Sequence, residues 1–135
     1  MIVYNDIKRQ FVNDVNDNSI ADKILEAIKM RGLNAGHEKE YSSWQNSMQF
    51  MRNIVDDSDI DDEVRICIEY NIPLTSKRVD FIIAGADNYG KDNIVIVELK
   101  QWQKAEVVAD DMHYCVRTYV ANSDRIVCHP SYQAY

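Results

Sequence analysis

Cysteine is scarce in this sequence: three residues, Cys67, Cys115 and Cys128, in a chain of 135. The number is odd and no two form a C-x-x-C pair, which speaks against a disulfide framework and against a structural zinc site. Cys67 and Cys128 lie in apolar runs and read as small core residues, in a reducing, cytoplasmic setting. No apolar run approaches the roughly 20 residues that a membrane helix needs, so no membrane partner is expected. The N-terminus, Met1-Ile2-Val3-Tyr4-Asn5-Asp6, has no basic segment followed by an apolar one, as a signal peptide would. Internal repeats and low-complexity linkers are absent too. The three histidines, His37, His113 and His129, show no metal-ligand spacing.

What is present fits one globular domain over residues 1–135. Apolar residues make up 46% of the chain, against disorder. The net charge of −7 argues at first against nucleic acid as a partner. Its distribution weakens that objection. Residues 1–64 hold 13 acids and 7 bases, a net of −6, whereas residues 65–135 hold 9 acids and 8 bases, a net of −1. Much of the excess sits in Asp56-Asp57-Ser58-Asp59-Ile60-Asp61-Asp62-Glu63, which reads as a solvated loop. It lacks the glycine and ligand spacing of an EF-hand.

The first third reads helical. Asn5 is a candidate cap for a helix over 6–15, with Ile7, Phe11 and Val15 at spacing four. Ser19 and Asp22 form S-x-x-D, close to a capping box, before the stripe Ile20, Ile24, Leu25 and Ile28; Gly32 suits the C′ stop. A third helix is expected over 37–55, with Tyr41, Trp44, Met48, Met51 and Val55 on one core-facing side. Glu40 lies one turn before Trp44, at the edge of that stripe.

After the acidic run the period changes to two. Val64, Ile66, Ile68 and Tyr70 alternate with Arg65, Cys67 and Glu69, so a strand is expected with Glu69 facing solvent. Residues 78–83 and 93–99 read as two further strands, paired as a hairpin through the turn-forming stretch 85–92. Residues 114–120 and 125–128 read as strands joined by a short turn. Pro130 opens a final helical turn.

The third strand runs Ile94-Val95-Ile96-Val97-Glu98-Leu99-Lys100. Alternation places Ile94, Ile96, Glu98 and Lys100 on one face. Two charges closing an apolar face are costly unless they are paired or bind something. If the hairpin sets Asp80 opposite Glu98, their Cα atoms lie about 4.5–5.5 Å apart. Two such carboxylates repel when both are ionised, and a divalent cation or a neighbouring lysine relieves the conflict. Carboxylate oxygens, a backbone carbonyl and several waters suit magnesium, with manganese as a substitute.

Arg78-Val79-Asp80-Phe81-Ile82 followed by Ile96-Val97-Glu98-Leu99-Lys100 resembles the D…E-x-K signature of the PD-(D/E)xK nuclease superfamily. The resemblance implies a restriction-endonuclease-like α/β fold: a mixed sheet flanked by helices, with N-terminal helices preceding the sheet. It implies that Asp80, Glu98 and the carbonyl of Leu99 bind metal and that Lys100 is catalytic, with Glu40, or Glu38 after it, completing the site from the preceding helix. A longer similarity is carried by Ser43-Trp44-Gln45-Asn46-Ser47-Met48, Thr75-Ser76-Lys77-Arg78-Val79-Asp80-Phe81, Val97-Glu98-Leu99-Lys100-Gln101-Trp102 and His129-Pro130-Ser131-Tyr132-Gln133-Ala134. These stretches resemble the N-terminal nuclease-like region of bacterial helicase-type ATPases. The resemblance implies nucleic acid, chiefly DNA, as the substrate and a helicase/ATPase region as a partner. The chain has no G-x-x-x-x-G-K-[ST]. Gln133 matches the first position of the Q-x-x-x-Y found in some members, and the chain ends before the Tyr. With the last helix so short, a second copy is expected to cover the exposed sheet face, giving a homodimer or a larger assembly. The alternative reading is a catalytically silent nuclease fold that binds nucleic acid or docks a partner.

Overall fold

The fold is seen in a computed structural model that describes residues 1–32, 38–75, 77–108, 114–120 and 122–134, with the side chains of Glu38, Lys39 and Gln133 outside the described set. The chain is α/β, with two antiparallel sheets and four helices among the described residues. It divides into two compact units, Met1–Val97 and Glu98–Tyr135. No described helix is long and apolar enough to cross a membrane.

The first unit opens with β1 (Ile2–Ile7), followed by α1 (Lys8–Asn16), α2 (Ile20–Met30) and α3 (Glu38–Val55), then β2 (Arg65–Asn71), β3 (Arg78–Ala86) and β4 (Asp92–Val97). The sheet order is β1-β2-β3-β4 with every ladder antiparallel, so the expected mixed sheet and the expected helices-first order both differ from what is observed. The reason is β1. Asn5 does not cap a helix; it lies in a strand whose Tyr4 pairs with Ile68. That ladder is a contact across some sixty residues of chain, which local periodicity cannot register. The spacing-four stripe is real from its second member on: Phe11 and Val15 are fully buried.

The core is built from Phe11 and Val15 of α1, Ile20, Ile24 and Ile28 of α2, Trp44, Met48, Met51 and Val55 of α3, Ile66 and Ile68 of β2, and Phe81 of β3. Phe11 meets Phe81 edge to face with ring centroids 5.5 Å apart, a favoured aromatic geometry. Gly32 follows α2 at φ +65, and its N–H bonds the Lys29 carbonyl, the expected left-handed stop. The capping box is not formed. Ser19 has helical dihedrals and its hydroxyl donates to the carbonyl of Asp14, so no side-chain cap bond is made.

Asp14 is buried and carries the polar centre of this helical layer. Its Oδ2 accepts from the Tyr4 hydroxyl at 2.8 Å, and its Oδ1 accepts from Gln10 and Lys23 at 2.7 Å each. Burial and the Asp14 carboxylate push the Tyr4 pKa far up, so the phenol stays protonated and donates. Tyr4→Phe keeps the ring and leaves Asp14 Oδ2 short of a donor. The expected cost is about 1–2 kcal/mol, seen as a lower urea midpoint at unchanged m.

The acidic run has exposed side chains, as expected of a solvated loop, yet its backbone is anchored. Lys8 is buried, and its ammonium donates to the Asp57 carbonyl at 2.9 Å and to the Ile60 carbonyl, while pairing with Asp62 at 3.1 Å. Arg9 pairs with Glu63 at 2.7 Å and Arg52 with Asp56 at 3.0 Å, both nearer the surface.

Within β3 and β4 the register runs from Phe81 opposite Val97 to Ala86 opposite Asp92. This is the parity expected of the hairpin. Asp87 organises its turn: Oδ1 accepts from the N–H groups of Tyr89 and Lys91 at 2.9 and 3.0 Å, which holds its carboxyl below the usual range. Gly90 supplies the positive φ that the turn requires.

The second unit holds β5 (Ala105–Val107), β6 (Cys115–Val120), β7 (Ser123–Cys128) and α4 (Pro130–Ala134), with the sheet in the order β5-β6-β7. The hairpin and the Pro130 helix match expectation. β5 has three residues, too few for an alternation signal. Thr118 is fully buried and donates to the Lys104 carbonyl at 2.7 Å, and the rings of Tyr114 and Tyr132 meet at a tilt of 56° with centroids 5.5 Å apart.

Candidate functional site

In the first unit the expected site residues are Asp80 and Glu40. Asp80 sits half-buried on β3, one residue before the fully buried Phe81 that fixes the strand against α1. Glu40 is half-buried on α3, one turn before Trp44, which packs in the core. The residue that connects them was expected to face solvent. Glu69 is instead 5% exposed. Its Oε1 accepts from the Trp44 indole N–H at 2.8 Å, and its Oε2 lies 2.5 Å from Arg78 Nε. That second contact is an ion pair without hydrogen-bond alignment, so Oε2 has a charge partner and no hydrogen-bond partner among the described residues.

The alternation rule fails at Glu69 for a definite reason. Its φ is +56, in the left-handed region, within a strand whose neighbours are paired regularly. A non-glycine residue there is strained by about 1–3 kcal/mol and persists only where its surroundings hold it. The indole and the guanidinium supply that hold. The flanking pairs Ile68–Phe81 and Tyr70–Val79 bracket Glu69 and Asp80 at one level of the β2–β3 ladder.

Electrostatics ties the same residues together. Burial pushes the Glu69 carboxyl upward; the Trp44 hydrogen bond and Arg78 pull it down, and the charges of Asp80 and Glu40 push it further up. The net direction is upward, so desolvation outweighs the partners. Glu40, Glu69 and Asp80 therefore form one electrostatic neighbourhood on three elements of the first unit. The sequence feature that could have pointed to Glu69 is an acid inside an otherwise apolar strand, Ile66-Cys67-Ile68-Glu69-Tyr70.

In the second unit, Glu98 and Lys100 are joined: Lys100 Nζ donates to Glu98 Oε1 at 2.6 Å. Leu99, whose carbonyl is the third expected metal donor, is half-buried between them. β4 ends at Val97, so Glu98, Leu99 and Lys100 follow the strand and do not close it. The side chains of Glu38 and Gln133 lie outside the described residues, as do His37 and His113. Among the described residues no three His, Cys, Asp or Glu side chains are gathered into a ready metal cage. The donor set itself is all hard oxygen, carboxylate and carbonyl, which is the chemistry that magnesium takes.

No protein family, curated protein or solved structure matches the chain.

Proposed function

We propose that this chain is a metal-dependent nuclease domain of the PD-(D/E)xK type, with a restriction-endonuclease-like core that hydrolyses phosphodiesters of nucleic acid, DNA in the first place, and works beside a helicase region. The observation that carries the reading is the strand order with its register. A strand bearing Asp80 is followed by an antiparallel partner of the right parity, and that partner runs directly into Glu98-Leu99-Lys100.

In this reading Asp80, Glu98 and the Leu99 carbonyl would hold a magnesium ion, and Glu40 would add a carboxylate from α3. When bound, the metal lowers the pKa of a coordinated water and neutralises charge on the phosphate. Lys100 would supply an ammonium to the attacking water and to the phosphoryl oxygens as they gain charge. The second reading, a silent fold that binds or docks, is favoured by one observation. Lys100 is already engaged by Glu98, as a structural ion pair would be.

Plasmid and single-stranded DNA separate the two readings. The nuclease reading expects cleavage with magnesium or manganese, none with a chelator, and none from Asp80→Ala. A folded wild-type protein that retains DNA but cuts it in neither metal would establish the second reading.

A further inference from the structure

The three cysteines are free, and two of them face each other: Cys115 of β6 is opposite Cys128 of β7. Their level in the ladder can be read from both ends of the hairpin. At the turn, Val120 is opposite Ser123 with two residues between, and Asn122 has a left-handed φ of +62, as a tight hairpin turn requires. The closing pair of such a turn is hydrogen-bonded, and levels alternate outward from it. Cys115 and Cys128 then fall on a non-hydrogen-bonded level. At the far end, the His129 N–H donates to the Tyr114 carbonyl at 2.7 Å, which makes the level just beyond the cysteines a hydrogen-bonded one. The two ends agree.

At a non-hydrogen-bonded level the Cα atoms of facing residues stand about 4.5 Å apart, with both side chains on the same face. A disulfide spans Cα separations of roughly 4.4–6.8 Å. The pair is thus placed for a bond without movement of the backbone. Both residues are half-buried, so a small oxidant can reach the hairpin. Cys67 differs on each count. It is buried in β2, burial pushes its thiol pKa up, and its ladder neighbours are Asn5 and Ile82.

We infer that Cys115 and Cys128 form a redox-sensitive modification site, closing to a disulfide that staples β6 to β7 when the protein meets a small disulfide oxidant such as oxidised glutathione. One thiolate attacks a sulfur of oxidised glutathione; a protein–glutathione disulfide forms and a glutathione thiolate leaves. The second cysteine, as thiolate, attacks the protein sulfur of that mixed disulfide and releases the second glutathione. Two protein thiols give up two electrons and two protons, and one glutathione disulfide becomes two thiols. In a reducing compartment the pair rests as dithiol, and exchange with an excess of thiol reverses the bond. The inference uses nothing from the nuclease reading.

The test is equilibration of the folded full chain with oxidised glutathione, followed by alkylation in denaturant and peptide mapping. The expected result is a fall from three alkylatable thiols to one, a linked Cys115–Cys128 peptide, alkylated Cys67, and full recovery after dithiothreitol. Cys115→Ser and Cys128→Ser should each keep one glutathione as a stable mixed disulfide, because the resolving thiol is missing. The same reaction in urea should scatter links among all three cysteines. Three alkylated thiols after oxidation of the folded protein, a link to Cys67, or separate glutathiones kept on Cys115 and Cys128 would each overturn the inference.

Discussion

Lys8→Met should lower the unfolding free energy by about 3 kcal/mol and the melting temperature by about 10 °C. Methionine fills the same volume but donates nothing. The carbonyls of Asp57 and Ile60 both accept from the Lys8 ammonium, and hydrogen bonds to a charged group contribute about 1.5–3 kcal/mol each. Losing them removes two of the contacts that tie the loop to α1, where Arg9 still pairs with Glu63, and leaves two acceptors facing an apolar side chain. The Asp62 carboxylate contributes less. Its side chain is 60% exposed, so the Lys8–Asp62 attraction is screened by water. Asp62→Asn should therefore cost under about 1 kcal/mol. Thermal melts of the two variants decide which contact anchors the loop. Equal losses would show that the ion pair, and not the carbonyl cage, is the anchor; no loss in Lys8→Met would remove the anchor altogether.

That loop also shows where sequence reading stops. Its composition announced exposed acids, and their side chains are exposed. Nothing in the order Asp57-Ser58-Asp59-Ile60 announced a buried lysine from 49 residues earlier. The helices were legible because their stripes repeat: Ile24 and Ile28, or Trp44, Met48, Met51 and Val55, each bury at the expected spacing. The hairpin of β3 and β4 was legible because its turn chemistry fixes its register. β1 was not, since Tyr4 and Ile7 fit a helical stripe as well as a strand until Ile68 and Arg65 arrive beside them. Glu69 was missed for a sharper reason. Period-two reasoning assumes extended backbone at every residue, and this one is left-handed. Of the proposed site, Asp80, Glu98 and Lys100 were legible as a motif, and Glu40 as a position on a helix. The carboxylate lying level with Asp80 in the ladder, with its indole and guanidinium partners, was visible only once strands and helices were assembled.

Metal binding and chemistry should come apart under three substitutions at the proposed site. Asp80→Asn and Glu98→Gln each remove an anionic oxygen ligand, so manganese affinity should fall sharply in both. Lys100→Met removes a cation from beside the proposed metal, and with it the hydrogen bond that occupies Glu98 Oε1. Manganese affinity should stay equal or rise, because a like charge has gone and a carboxylate oxygen has been released. Cleavage should nevertheless drop by about 100-fold or more, the usual size for a lost donor that stabilises charge in the transition state. A structural ion pair predicts a different pattern. In that case Glu98→Gln and Lys100→Met break the same contact, shift the melting temperature alike, and leave metal binding as it was. Calorimetric titration with manganese, run beside a thermal melt for each variant, distinguishes the patterns. The comparison that carries most weight is Lys100→Met against Glu98→Gln, since the two share one contact but are assigned opposite effects on the metal. If folded wild-type protein takes up no manganese at millimolar metal, the ligand roles of Asp80 and Glu98 fall, and the nuclease reading falls with them.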